Sequence, residues 1–227
     1  MKISAIKQQA RGALQGKWGL CVLLSFLTFL IFSIIPNVVS LLFGGGWELS
    51  EVSEGSTSVS ATAAVPWQAS VANIIVSLLL IPLSVAVYWF YLSIARLEGA
   101  RLSQVFAIYA DWKRSLKLIG TSIVVSIFVF LWSLLLIIPG IIKQFSYSQT
   151  FFLLKDHPEY SILEAITESK VRMKGYKWKY FLLHLSFIGW GILSVITFGI
   201  GFLWLIPYIT TSTATFYNEL IKTQESQ

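Results

Sequence analysis

Two apolar runs, Trp18 to Phe43 and Trp67 to Ala95, set the terms on which this chain can fold, because neither contains an Asp, Glu, Lys or Arg. Each exceeds the roughly 20 residues that cross about 30 Å of hydrocarbon and is too long for a buried strand. The composition agrees: 56% of residues are hydrophobic and 12% are charged, against about 25% charged in soluble domains. Lipid is the expected solvent for much of the chain. A cleaved signal peptide is the competing reading of the first run, but that run is too long and no A-x-A-like site follows it.

The charges assign sides. Residues 44 to 66, GGGWELSEVSEGSTSVSATAAVP, carry Glu48, Glu51 and Glu54 and no cation, which predicts a flexible extracellular loop. Lys2, Lys7, Arg11 and Lys17 precede the first run, Arg96, Arg101, Lys113, Arg114 and Lys117 follow the second, and Lys170, Arg172, Lys174, Lys177 and Lys179 form a third cluster. Basic clusters belong in the cytoplasm. The stretches Leu118 to Leu154 and Tyr180 to Glu219 must then each cross twice, turning at Pro139-Gly140 and Gly199-Ile200-Gly201. Pro139 is either that break or a kink inside the fourth helix. The expected architecture is an all-α membrane protein, a single polytopic domain over residues 1–227 with six transmembrane helices as three hairpins and both termini cytoplasmic.

Each hairpin is preceded by an amphipathic stretch that reads as a cytoplasmic interfacial helix, at 1–17, 101–117 and 161–175. Ile3, Ile6, Ala10 and Ala13 share one face in the first. Leu102, Val105, Phe106, Tyr109 and Leu116 share one in the second. In the third, Ser161-x-x-Glu164 is a capping box ahead of Ile162, Ala165, Ile166, Ser169 and Met173. Their cations favour anionic headgroups of membrane lipids at the cytoplasmic face. Nucleic acid is not expected, since no reader motif accompanies the charge. The even spans share a proline fourteen to sixteen residues before a basic inner end: Pro82 before Arg96, Pro139 before Lys155, and Pro207 before Lys222. Three repeated units follow from this spacing.

Beyond those prolines the helices carry polar stripes. Lys143, Ser146, Tyr147 and Thr150 are spaced i, i+3, i+4, i+7, with Gln144 and Ser148 beside them; Tyr208, Thr211, Thr215 and Asn218 repeat the spacing; Tyr88 and Tyr91 lie on the second helix. Lipid cannot satisfy such groups, so they are expected to face a polar intramembrane cavity, with the three prolines as helix kinks. Lys143 either snorkels to the interface or binds an anionic group inward. His184 is a further cavity candidate.

Enzyme chemistry is not expected. His157 and His184 are far apart with no carboxylate or cysteine at ligand spacing, there is no H-E-x-x-H or G-x-S-x-G, and Gly44 to Gly46 lack the lysine of a phosphate loop. No metal or cofactor is implied. Asp156-His157-Pro158-Glu159 reads as a polar turn, and the single cysteine, Cys21, as a packing or lipid-facing residue.

The opening MKISAIKQQARGALQGKWGL, the segment from FLWSLLLIIPGIIK to YKWKYFLLHLSFIGW and the close TFGIGFLWLIPYITTSTATFY resemble the bacterial integral-membrane family called domain of unknown function 975. A looser likeness is to the membrane domain beside some glycerophosphodiester phosphodiesterases. The resemblance implies a bacterial, Gram-positive plasma membrane and carries over no functional residue. The expected function is transport or handling of a lipid or other amphiphilic anionic substrate. The alternative is a non-transporting interaction, regulatory or antimicrobial-peptide protection protein with a membrane protein partner.

Overall fold

The computed structural model describes residues 2–43 and 66–225. The loop expected at 44–66 lies outside them, apart from Pro66. All regular structure among the described residues is helical: α1 (Ile3–Leu14), α2 (Trp18–Leu42), α3 (Trp67–Ala95), α4 (Leu102–Phe106), a 3-10 turn (Ala107–Ala110), α5 (Trp112–Leu135), α6 (Ile137–Tyr147), α7 (Thr150–Asp156), α8 (Ile162–Arg172), α9 (Lys177–Leu185), α10 (Ile188–Ile196) and α11 (Phe202–Glu225). Four stretches among the described residues are long and apolar enough to cross a membrane, namely Trp18–Leu42, Trp67–Ala95, Trp112–Leu135 and Lys177–Ile196. The expected fourth span is broken into α6 and α7, and α11 is diluted by its own hydroxyls, so neither meets that criterion. Large apolar side chains such as Leu134, Leu135, Ile137, Ile138, Ile196 and Phe198 are exposed, as in a protein whose solvent is hydrocarbon.

The chain forms two compact units, one from Met1–Phe26 with Ile81–Gln227 and one from Leu27–Leu80. In the smaller unit, Asn73 Nδ2 donates to Ser40 Oγ at 2.8 Å, and Asn37 Nδ2 to Ser33 O at 2.7 Å.

In the larger unit the amphipathic periodicities are borne out, but what covers them differs from expectation. Ile6, Ala10, Ala13 and Leu14 are buried, and α1 packs on α9 and α11. Ala165, Ile166, Ser169 and Met173 are buried, and α8 packs on α5, α6 and α7. The apolar faces at 1–17 and 161–175 are therefore covered by protein and are not free to enter lipid. The Ser161–Glu164 capping box forms as read. The helix expected over 101–117 is instead α4, the 3-10 turn and the start of α5, separated by Asp111, whose side chain caps α5 by accepting from Arg114 N at 3.1 Å. Asn and Asp favour such caps because they compete with the helix backbone. Val105, Ile108 and Ser115 are the buried residues of that stretch, and Phe106, Tyr109 and Leu116 are exposed.

Two turns share one device. A Cβ on Gly140 would lie 2.9 Å from Ser133 Cα, and a Cβ on Gly201 would lie 2.9 Å from Ser194 Cα. Both glycines follow their serine by seven residues, and both serines donate at 2.8 Å to the carbonyl four residues back. Glycine lets the returning helix lie directly on the serine backbone. Pro139 is neither break nor mid-helix kink. The chain turns at Leu136, extended at φ −162°, and Pro139 occupies the first turn of α6, where its missing N–H has no intrahelical acceptor to lose. Pro82 and Pro207 do lie inside α3 and α11, but so does Pro36 inside α2, so interior prolines are not confined to the even spans.

Candidate functional site

The stretch expected as a fourth span is interrupted at Ser148-Gln149, between α6 and α7. There the Gln149 N–H leaves the helical ladder and donates to Ser169 Oγ of α8 at 3.2 Å, while that hydroxyl donates to Ser146 O at 2.8 Å. One buried side chain from a neighbouring helix thus satisfies two backbone groups at a helix interruption, which is how such interruptions are tolerated away from water.

The break opens a cavity of about 400 Å³. Its polar lining comes from Tyr88 on α3, Gln144 and Tyr147 on α6, Ser148, Tyr180 and His184 on α9, and Thr213 on α11; Phe145 and Phe152 are among its apolar walls. Four of the sequence candidates, Tyr88, Gln144, Tyr147 and His184, meet here. Ser148, placed by the sequence beside the same stripe as Gln144, joins them, whereas Tyr180 and Thr213, which lie off the stripes, were missed. Tyr180 stacks edge-on to His184 at 4.6 Å and to Phe216 at 5.1 Å. The lining contains no Lys, Arg, Asp or Glu.

The other candidates lie elsewhere. Lys143 is outside the lining, its ammonium 4.1 Å from the Trp132 ring centre. Ser146, Thr150 and Thr215 are buried and donate to backbone carbonyls three or four residues back at 2.8–2.9 Å. Thr211 is buried with an unpartnered hydroxyl. Intrahelical acceptors explain why these stripes need no water: a Ser or Thr in a helix can satisfy itself. Tyr91 is fully buried, its hydroxyl 3.0 Å from Ser25 Oγ and 3.2 Å from Cys21 O, and Cys21 is buried with it.

Asn218 belongs to an ion-pair network at the ends of α3, α7 and α11. Arg96 grips Asp156 bidentately at 2.7 and 2.6 Å and donates to Asn218 Oδ1 at 3.0 Å, while Tyr217 donates to Asp156 Oδ2 at 2.8 Å. Burial alone would raise the Asp156 carboxyl; hydrogen bonds from Arg96 and Tyr217, and the Arg96 charge, outweigh it and hold the pKa below its ordinary value. Arg96 is raised by the same hydrogen bond. Beneath the network Leu92, Phe152, Leu153, Ala214 and Tyr217 form a buried cluster, with Phe152 and Tyr217 stacked at 5.2 Å. The three helices thus converge on a dry core at this level, not on a hydrated one. Asp156, read from sequence as a turn residue, is the acid of this network; its partner is sixty positions away in sequence.

Fold and site together define an all-helical protein with several membrane-length apolar helices and a neutral polar cavity at a helix break. The family described as protein of unknown function (DUF975) matches residues 134–224, a stretch that contains both the break and most of the cavity. The match agrees with the resemblance of the later motifs and does not reach the opening MKISAIKQQARGALQGKWGL, on which the resemblance also rested. No curated protein and no solved structure matches the chain, and the looser likeness to the phosphodiesterase-associated domain is without support.

Proposed function

We propose that this is a six-span bacterial plasma-membrane protein, termini inside, that holds an amphiphile in the cavity at the α6–α7 break. The observation that carries the reading is the gathering of tyrosine, glutamine, histidine and serine around about 400 Å³ among helices whose outer surfaces are apolar. Pockets for small molecules have this composition: apolar walls with a few convergent polar groups that fix orientation. An uncharged lining favours hydroxyl or amide portions of the ligand over an anionic centre, so the role first read for Lys143 drops out. Holding fits better than conduction, since the dry cluster around Phe152 and Tyr217 leaves no continuous polar path along the three helices.

Six spans are supported by the basic clusters and by the repeated serine–glycine turns at Gly140 and Gly201, each of which brings the next helix back. In a Cys21→Ser background, an impermeant thiol reagent applied to intact cells should label Ser56→Cys, and should not label Ser103→Cys or Thr167→Cys. For the cavity, Ser148→Leu should abolish co-purification of a bound amphiphile, measured by native mass spectrometry, while Lys143→Leu leaves it unchanged. Equal lipid content in the wild type and Ser148→Leu would remove this reading. A stable protein complex captured by crosslinking, with no bound amphiphile, would establish the interaction protein in its place.

A further inference from the structure

A second cavity, of about 290 Å³, lies between α3, α4, the first turn of α5 and α7, and its charge has one sign. Arg114 and Lys155 line it with Ser93, Gln104 and Trp89; no acidic residue does. The Lys155 ammonium is fixed by Ser93 Oγ at 2.7 Å and Trp89 O at 2.8 Å. Arg114 lies over the Trp89 ring, 4.4 Å from its centre, and its Nε is shielded from solvent without a hydrogen-bond partner.

Two of the nearby carboxylates are engaged elsewhere, and the third, Glu98, acts on Lys155 by its charge without an ion pair to it. Asp156 is taken by Arg96 and Tyr217, and Asp111 caps the α5 backbone. Among the described residues neither Arg114 nor Lys155 is in an ion pair. Burial lowers the affinity of Lys155 for its proton, and the charges of Arg96 and Arg114 add to that, against the opposing pull of Glu98 and Asp156. Two half-buried cations held close, with a shielded guanidinium nitrogen unpaired, are costly unless an anion joins them.

We propose that this pocket binds a phosphate group. A guanidinium presents a planar fork that matches phosphate oxygens, the ammonium supplies a point charge, and Ser93 and Gln104 bring a hydroxyl and an amide to the remaining oxygens. The phosphate is either the headgroup of an anionic lipid or a free ion, and the chemistry of the pocket is the same for both. This site is separate from the α6–α7 cavity, so Ser148→Leu should leave it intact, and either assignment can fail without the other.

The test is calorimetric titration of the protein in an uncharged detergent with inorganic phosphate, with dihexanoyl phosphatidic acid below its micellar concentration, and with dihexanoyl phosphatidylcholine as zwitterionic control. Binding of phosphate, phosphatidic acid or both, at least tenfold tighter than phosphatidylcholine and weakened at least tenfold by Arg114→Gln, is the expected result. Which of the two ligands binds identifies the source. Lys113→Gln, at the exposed neighbouring position, should change nothing. If Arg114→Gln fails to fold, Gln104→Leu, which fills the pocket from α4, must show the same loss. The proposal is overturned if no phosphate compound binds, if phosphatidylcholine binds equally, or if the folded pocket variant binds like the wild type.

Discussion

Ser169→Ala removes one hydroxyl, yet it should cost the protein far more than an ordinary serine. The side chain is fully buried and serves the backbone on both sides of the α6–α7 break, accepting from Gln149 N and donating to Ser146 O. Gln149 is itself fully buried, so its N–H has no water to turn to. An unmade hydrogen bond at a buried group costs about 1–3 kcal/mol, and a carbonyl with a second lone pair suffers less than an orphaned N–H. The expected loss is about 2 kcal/mol, roughly a thirtyfold shift in the folding equilibrium. Ser212→Ala is the control: that hydroxyl is equally buried but donates at 2.7 Å to Tyr208 O within its own helix. Back-bonding of that kind contributes little, so about 0.5 kcal/mol or less is expected there. Reversible unfolding in mixed micelles, followed by far-ultraviolet circular dichroism, reads both. Equal stability of Ser169→Ala and Ser212→Ala would refute the account of the break.

The remaining predictions concern other elements. Gly140→Leu and Gly201→Leu each drive a side chain into serine backbone and should lower the unfolding midpoint sharply, whereas Gly191→Ala, with open space around its Cβ, should be tolerated. Because Asp156 has its pKa depressed in the folded state, its stabilising contribution is complete above the ordinary carboxylate range and disappears as pH falls through the depressed value. The stability difference between the wild type and Asp156→Asn should therefore be large at pH 7 and shrink on acidification; a difference that stays constant down to pH 3 would contradict the ion pair. Tyr217→Phe, which keeps the ring stack with Phe152, should cost about 1.5–3 kcal/mol in chemical unfolding through the lost bond to a charged group.

What the sequence reveals here is governed by range. Helical periodicity marks the buried face of α1 and α8 because burial on one side is a local constraint, and Ile6, Ala10, Ala165 and Ile166 obey it. Periodicity carries no information about the covering partner, which for these faces is other helices of the chain. The polar stripes illustrate the same limit: Ser146, which bonds its own helix, lies on the same stripe as Tyr147, which lines a cavity. Arg96 and Asp156 were each visible as charges, but their pairing joins segments sixty residues apart and leaves no local trace.

The pattern of long-range contacts has an order that individual contacts conceal. α8 lies on α5, α6 and α7, the helices just before it in sequence. α4 contributes Gln104 and Val105 to a cavity with Ala86, Phe90 and Ser93 of α3, again the preceding long helix. α1 packs on α9 and α11, near the other end of the described residues, where Lys7 Nζ reaches Ser186 O at 3.3 Å and lies 4.3 Å from the Phe187 ring centre. The short amphipathic helices thus bury their stripes against helices that lie outside their own segment, and that burial depends on partners which local periodicity does not name.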